Sequence, residues 1–138
     1  MKRFGIILFL FFIARLAICQ TLKVSSFVNG QIDPAQGTTV WADETRIDDM
    51  YFSLNPEKNK IMIFSSKGCN EFNMIDYPGE NKDVDHDLYQ IELLLVDINK
   101  KTEHVGAVIC EKGNNTMRGF ILYSLDTEYP TSNIYFFE

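Results

Sequence analysis

The chain has 138 residues and carries 13 basic against 19 acidic side chains, a net charge of −6. That length fits one domain with a modest core rather than two, and the acidic balance argues against a nucleic-acid surface or one that docks on anionic lipid. No dinucleotide fingerprint, phosphate-cradling glycine loop, serine elbow or Cys-x-x-Cys pair occurs, so the enzyme classes that such motifs mark find no support here.

Residues 1–19 read as a signal peptide. Lys2 and Arg3 precede an apolar run over 4–12, and Ala17 and Cys19 occupy the small positions before a cut at Gln20. The run is short for a permanent span and Arg15 interrupts its end. The expectation is an exported protein, secreted or periplasmic, with no membrane span in its mature form. Two alternatives stay open. One is a retained N-terminal anchor. The other is an envelope lipoprotein acylated at Cys19, because Leu16-Ala17-Ile18-Cys19 resembles a bacterial lipobox, although Ile18 stands where that motif has Gly, Ala or Ser. Removing Lys2, Arg3 and Arg15 takes the net charge from −6 to −9.

Residues 20–138 read as a single all-β domain. A first edge strand is expected over 22–28, ended by Asn29-Gly30, which is a strong turn signal. Pro34 lacks a donor and breaks any ladder, and Gln36-Gly37 marks a second turn. A short β-prone run follows over 38–41, with Trp41 expected to cover one end of the core. The acidic stretch 42–49 is too short for a stable helix. Strands over 50–54 and 60–66 form a hairpin around Asn55-Pro56, and both faces of the second strand are apolar. A further strand is expected over 69–75, then loops over 77–81 and 83–87.

The most apolar part of the mature chain follows, as a meander of strands over 89–98, 104–110 and 116–124 joined by short polar turns. Tyr89, Ile91, Leu93 and Leu95 share one face of its first strand. Gln90 and Glu92 begin the other, which Leu94, Val96 and Ile98 complete. A strand whose environment changes midway fits a bent or closed sheet. Gly106 and Gly119 permit close approach between neighbouring strands. The last strand, 133–137, ends almost at the C-terminus, so closure of the sheet depends on it. The expected fold is an antiparallel, meander-rich small β-barrel or β-sandwich of about seven to nine strands.

Cys69 and Cys110 remain after the leader, and in an exported chain they are candidates for one disulfide. Closing a loop of about 40 residues stabilises by roughly 3–4 kcal/mol on the chain-entropy estimate. Two buried free thiols are the alternative. The segment 52–72, with Gly68, Cys69, Asn70 and Phe72, resembles the Gly-Cys-Asn-aromatic region of the META domains, small exported bacterial β-domains. The resemblance implies a small β-fold, with Cys110 in the place of that family's later cysteine, and no activity is carried over from it.

Asp83, Asp85 and Asp87 alternate as oxygen ligands for Ca²⁺ would. Leu88 and Leu94 replace the Gly and the bidentate Glu that an EF-hand loop requires, so a looser loop-type site is what remains, beside the plainer reading of a solvated acidic loop. His86 and His104 are too far apart along the meander to share a zinc ion. Glu92, Asp97, Glu103 and Glu111 surround the central strands and raise a carboxylate-pair hydrolase as an alternative. Asn114-Asn115-Thr116 is an N-glycosylation sequon in an expected turn. The reading that fits best is a non-catalytic binding or structural module of the cell envelope or extracellular space, with a protein, a glycan or a small apolar ligand as partner. A small secreted enzyme or inhibitor, or a lipocalin-like carrier lined by its aromatic residues, is the alternative.

Overall fold

The structure is a computed structural model that describes residues 20–76, 82–124 and 130–138. The expected leader, with Cys19, and the loop expected over 77–81 lie outside the described residues. The strands, in chain order, are β1 (Gln20–Asp33), β2 (Thr38–Trp41), β3 (Thr45–Arg46), β4 (Met50–Asn55), β5 (Lys60–Ser65), β6 (Gly68–Asp76), β7 (Lys82–Asp83), β8 (Leu88–Asp97), β9 (Glu103–Glu111), β10 (Met117–Ser124) and β11 (Thr131–Phe137).

Eight of them close into an antiparallel barrel. The path runs β1, β4, β5, β6, β8, β9, β10, β11, and β11 pairs back onto β1. The last strand closes the sheet, as its position in the chain implies. β1 is the long strand of the set. One of its edges carries β11 over residues 24–31. The other carries β4, then β3, then β2 in succession. β7 adds to β8.

Alternation puts one face of each strand inside. Ile91, Leu93 and Leu95 of β8 point inward with Val108 and Cys110 of β9, and all five are nearly inaccessible. Three bulges adjust that alternation. The extra residues are Ser25 in β1, Ile75 in β6 and Arg118 in β10. Because of them, Val24 and Phe27 both face the interior although three residues apart, as do Met117 and Phe120. The centre is filled by rings: Phe52 lies 4.9 Å from Phe120 and 5.0 Å from Phe137 between centroids.

Three expectations need correction. Asn29-Gly30 is not a turn but the middle of β1. Asn29 pairs with Asn133 inside the barrel, and Gly30 lies beneath Trp41, so tertiary pairing overrides the local turn preference. The reversal comes instead at 34–37, where Gly37 takes a φ of 66°. Trp41 lies on the outer wall, 47% exposed, and does not cap the core. Finally, Cys69 and Cys110 are free thiols, not a disulfide. Cys110 points inward from β9, whereas Cys69 sits on the outward-facing, exposed side of β6, so the barrel wall stands between them.

Gly106 faces the core where a Cβ would come within 2.8 Å of Leu95 Cδ1 and 2.9 Å of the Phe120 ring. Gly106→Val is therefore expected to destabilise by about 1–3 kcal/mol through overpacking, read as a lower urea midpoint. Ser132 is 2% exposed and its hydroxyl has no hydrogen-bond partner among the described residues. Ser132→Ala should raise stability by about 1 kcal/mol, because it removes a desolvated hydroxyl that gains nothing in return.

Candidate functional site

The interior is not uniform from end to end. Across the half of the barrel from β8 to β1, one inward row reads Ile91, Val108, Phe120, Tyr135, Phe27. The next row towards the end where β9 and β11 begin reads Leu93, Gly106, Leu122, Asn133, Asn29. The terminal row is Leu95, His104, Ser124, Thr131, Gln31. Apolar side chains thus give way to uncharged hydrogen-bonding ones over two rows, and His104, Ser124, Thr131, Asn133 and Asn29 are each half-buried.

These groups hold one another in place. The His104 ring is hydrogen-bonded at both nitrogens, by Nε2 to Thr102 Oγ1 at 2.9 Å and by Nδ1 to Ser124 Oγ at 3.1 Å. Its edge also meets the Phe72 ring at 5.5 Å and 81°. Asn29 Nδ2 donates to Asn133 Oδ1 at 2.5 Å. Burial pushes the Tyr135 phenol up from its ordinary value, and a hydrogen bond from Asn133 partly offsets this. Phe72, Leu93 and Leu95 beside them are buried, so the polar end is a set of mutually bonded donors and acceptors on a hydrophobic floor.

The residues singled out in the sequence behave differently. Asp83, Asp85 and Asp87 are all exposed. Asp85 Oδ1 accepts the backbone N–H of Asp87 at 2.7 Å and of Leu88 at 2.9 Å, an Asx turn that starts β8. Asp83 pairs with Lys112 Nζ at 3.1 Å, and the Asp87 carbonyl accepts the Lys112 N–H at 2.7 Å. The run ties the β8 entry to the turn between β9 and β10. Among the described residues no three His, Cys, Asp or Glu side chains are grouped to hold a metal ion.

The four carboxylates of the hydrolase alternative are kept apart. Asp97 is inward, buried, and accepts the N–H groups of Asn99 and Lys100. Glu103 and Glu111 lie at opposite ends of the outer face of β9, while Glu92 sits across from Ala107 between them. At about 3.3 Å per residue, Glu92 lies roughly 13 Å along the ladder from each, well beyond the roughly 5–9.5 Å between carboxyl groups of a glycosidase pair. Glu111 is engaged by Asn114 and Arg118, which hold its carboxyl below the usual range. Asn114 is exposed in the turn between β9 and β10, where its sequon sits.

No protein-family model matches the chain, and no curated protein matches it. The META-like stretch rests on residues 52–72 alone. Among the described residues no helix is long and apolar enough to cross a membrane.

The two described thiols should separate chemically. Burial pushes Cys110 up from 9.0 to about 11, against a smaller downward pull from a Tyr89 hydrogen bond. Peptide mapping after brief alkylation should find Cys69 modified and Cys110 protected until the protein unfolds. The folded state also holds this proton more tightly than the unfolded chain. The corresponding stability is fully present below about pH 9 and is lost as pH rises towards about 11. Denaturation midpoints should fall through that window, and Cys110→Ala should flatten that part of the fall.

Proposed function

We propose that this protein is an exported, non-catalytic binding module whose ligand-facing surface is the polar end of the barrel. The observation that carries the reading is the change from apolar to uncharged hydrogen-bonding side chains over two inward rows, ending in His104, Ser124, Thr131 and Gln31. Polar groups in an apolar interior are costly unless satisfied. Here His104 bonds Thr102 and Ser124, and Asn29 bonds Asn133, while these groups stay half-buried, which suits exchange with a partner's hydrogen-bonding groups. The carboxylate at this end, Asp97, is buried and already accepts the N–H groups of Asn99 and Lys100, so the groups left to a partner are uncharged and suit a polar one such as a peptide or a glycan. A lipocalin-like apolar carrier is less well supported, because Phe52, Phe120 and Phe137 fill the centre of the barrel. The catalytic alternative is weakened by the spacing of Glu92, Glu103 and Glu111.

Titration of the ¹⁵N-labelled protein with extended peptides and soluble oligosaccharides tests this. The expected result is a selective shift of the Asn29 and Asn133 side-chain amides and of the His104 ring. Asn133→Leu should weaken the bound ligand about tenfold, the cost of one lost hydrogen-bonding group, while the fold is kept. Shifts confined to other faces of the barrel would overturn the reading.

A further inference from the structure

The terminal inner row does not stop at the barrel wall. It continues from Gln31 of β1 to Val40 of β2. Among the described residues β2 pairs with β1 alone, so its other edge is open. The direction of its backbone groups follows from one contact. The Asn29 carbonyl accepts the Ala42 N–H at 2.8 Å. Antiparallel alternation then turns the N–H and C=O of Val40 towards β1 and those of Thr39 and Trp41 towards the open edge.

Open edges are commonly guarded by charge, proline or a bulge. Thr38, Thr39, Val40 and Trp41 carry none of these. Val40 is 70% exposed on one face and Trp41 47% exposed on the other. The indole is seated from beneath: a Cβ on Gly30 would lie 2.6 Å from Trp41 Cε3, so only glycine lets the ring rest there. Exposed Asp43 follows Trp41 at one end of the edge, whereas Glu44 beside it accepts the Ser26 hydroxyl and Asp33, across from Thr38 on β1, accepts the N–H groups of Ala35 and Gln36.

We propose that the open edge of β2 takes an extended basic segment of a partner protein as an added strand. The proposal rests on the binding-module reading of this end of the barrel and names the partner's chemistry. Thr39 and Trp41 supply the backbone ladder. The Trp41 face takes a Lys or Arg side chain. Val40 packs against the other face of the added strand. Exposed Asp43, within a chain of net charge −6, attracts the basic segment, and the same charge repels a second copy of this edge.

The test is titration of the ¹⁵N-labelled protein with a peptide of alternating Lys and Thr, with the matching Glu and Thr peptide as control. The expected result is slowed amide exchange at Thr39 and Trp41, but not at Val40, and binding that weakens at least threefold from 50 to 300 mM salt. Thr39→Pro removes one outward N–H without touching the ladder to β1. It should weaken binding at least tenfold, while Thr39→Val stays within twofold. Unchanged binding by Thr39→Pro, or preference for the acidic peptide, overturns the proposal. So does concentration-dependent pairing of two copies through β2 without peptide binding. Shifts confined to His104, Ser124 and Asn133 overturn the edge site while leaving the binding-module reading standing. No shift with either peptide overturns the edge site too, and the ligand titration of the polar end then decides the broader reading separately.

Discussion

The pairing of the first described strand with the last is the constraint on which the rest depends. β1 and β11 run together over residues 24–31, and without that ladder the remaining strands form an open sheet with two long raw edges. Closure removes both edges and gives the interior rings something to pack against from every side. The seam extends to the chain end, where the Glu138 N–H donates to the Lys23 carbonyl at 3.1 Å and the two side chains approach within 3.4 Å. That exposed ion pair adds little. The weight is carried by Val24, Phe27, Tyr135 and Phe137, and the bulge at Ser25 is what lets Val24 and Phe27 both face inward against the regular alternation of β11.

The same seam makes the polar end. Asn29 and Asn133 meet because β1 continues straight through Asn29-Gly30 and keeps pairing with β11. Beyond them β1 outlasts the wall and carries β2 outward. Interior polarity, the exposed Trp41 and the open edge are therefore three consequences of one overlong strand. An apolar, ring-filled middle gives the assembly its stability, and the proposed binding surfaces lie at the end where alternation runs out of hydrophobic residues.

How much of this was legible follows from whether the signal is local. The meander of β8, β9 and β10 announces itself through period-two alternation and polar turns, and the expected strands agree with the observed ones to within one residue at each end. The closed sheet was half-legible. Met62 and Phe64 suggested two covered faces on β5, and Phe64 does stack on Tyr51 at 5.6 Å outside the barrel. That outer aromatic pair mimics the second layer of a sandwich, so the sequence alone left barrel and sandwich open. Asn29-Gly30 misled because its turn preference, worth little on its own, lost to pairing with a strand a hundred residues away. The cysteines misled for a related reason: counting thiols ignores the side of the wall on which each one sits. The polar end was missed because His104, Ser124, Asn133 and Asn29 come from four strands with no shared motif. The acidic run from Asp83 to Asp87, by contrast, was conspicuous in the sequence, and its Asp85 forms the turn that opens β8.

Cross-strand nuclear Overhauser contacts between β1 and β11 test the account most directly. The account predicts contacts between Phe27 and Tyr135 and between the side-chain amides of Asn29 and Asn133. Absence of both, with Asn29-Gly30 showing the short sequential contacts of a tight turn, would contradict the closure and, with it, the polar end that closure creates.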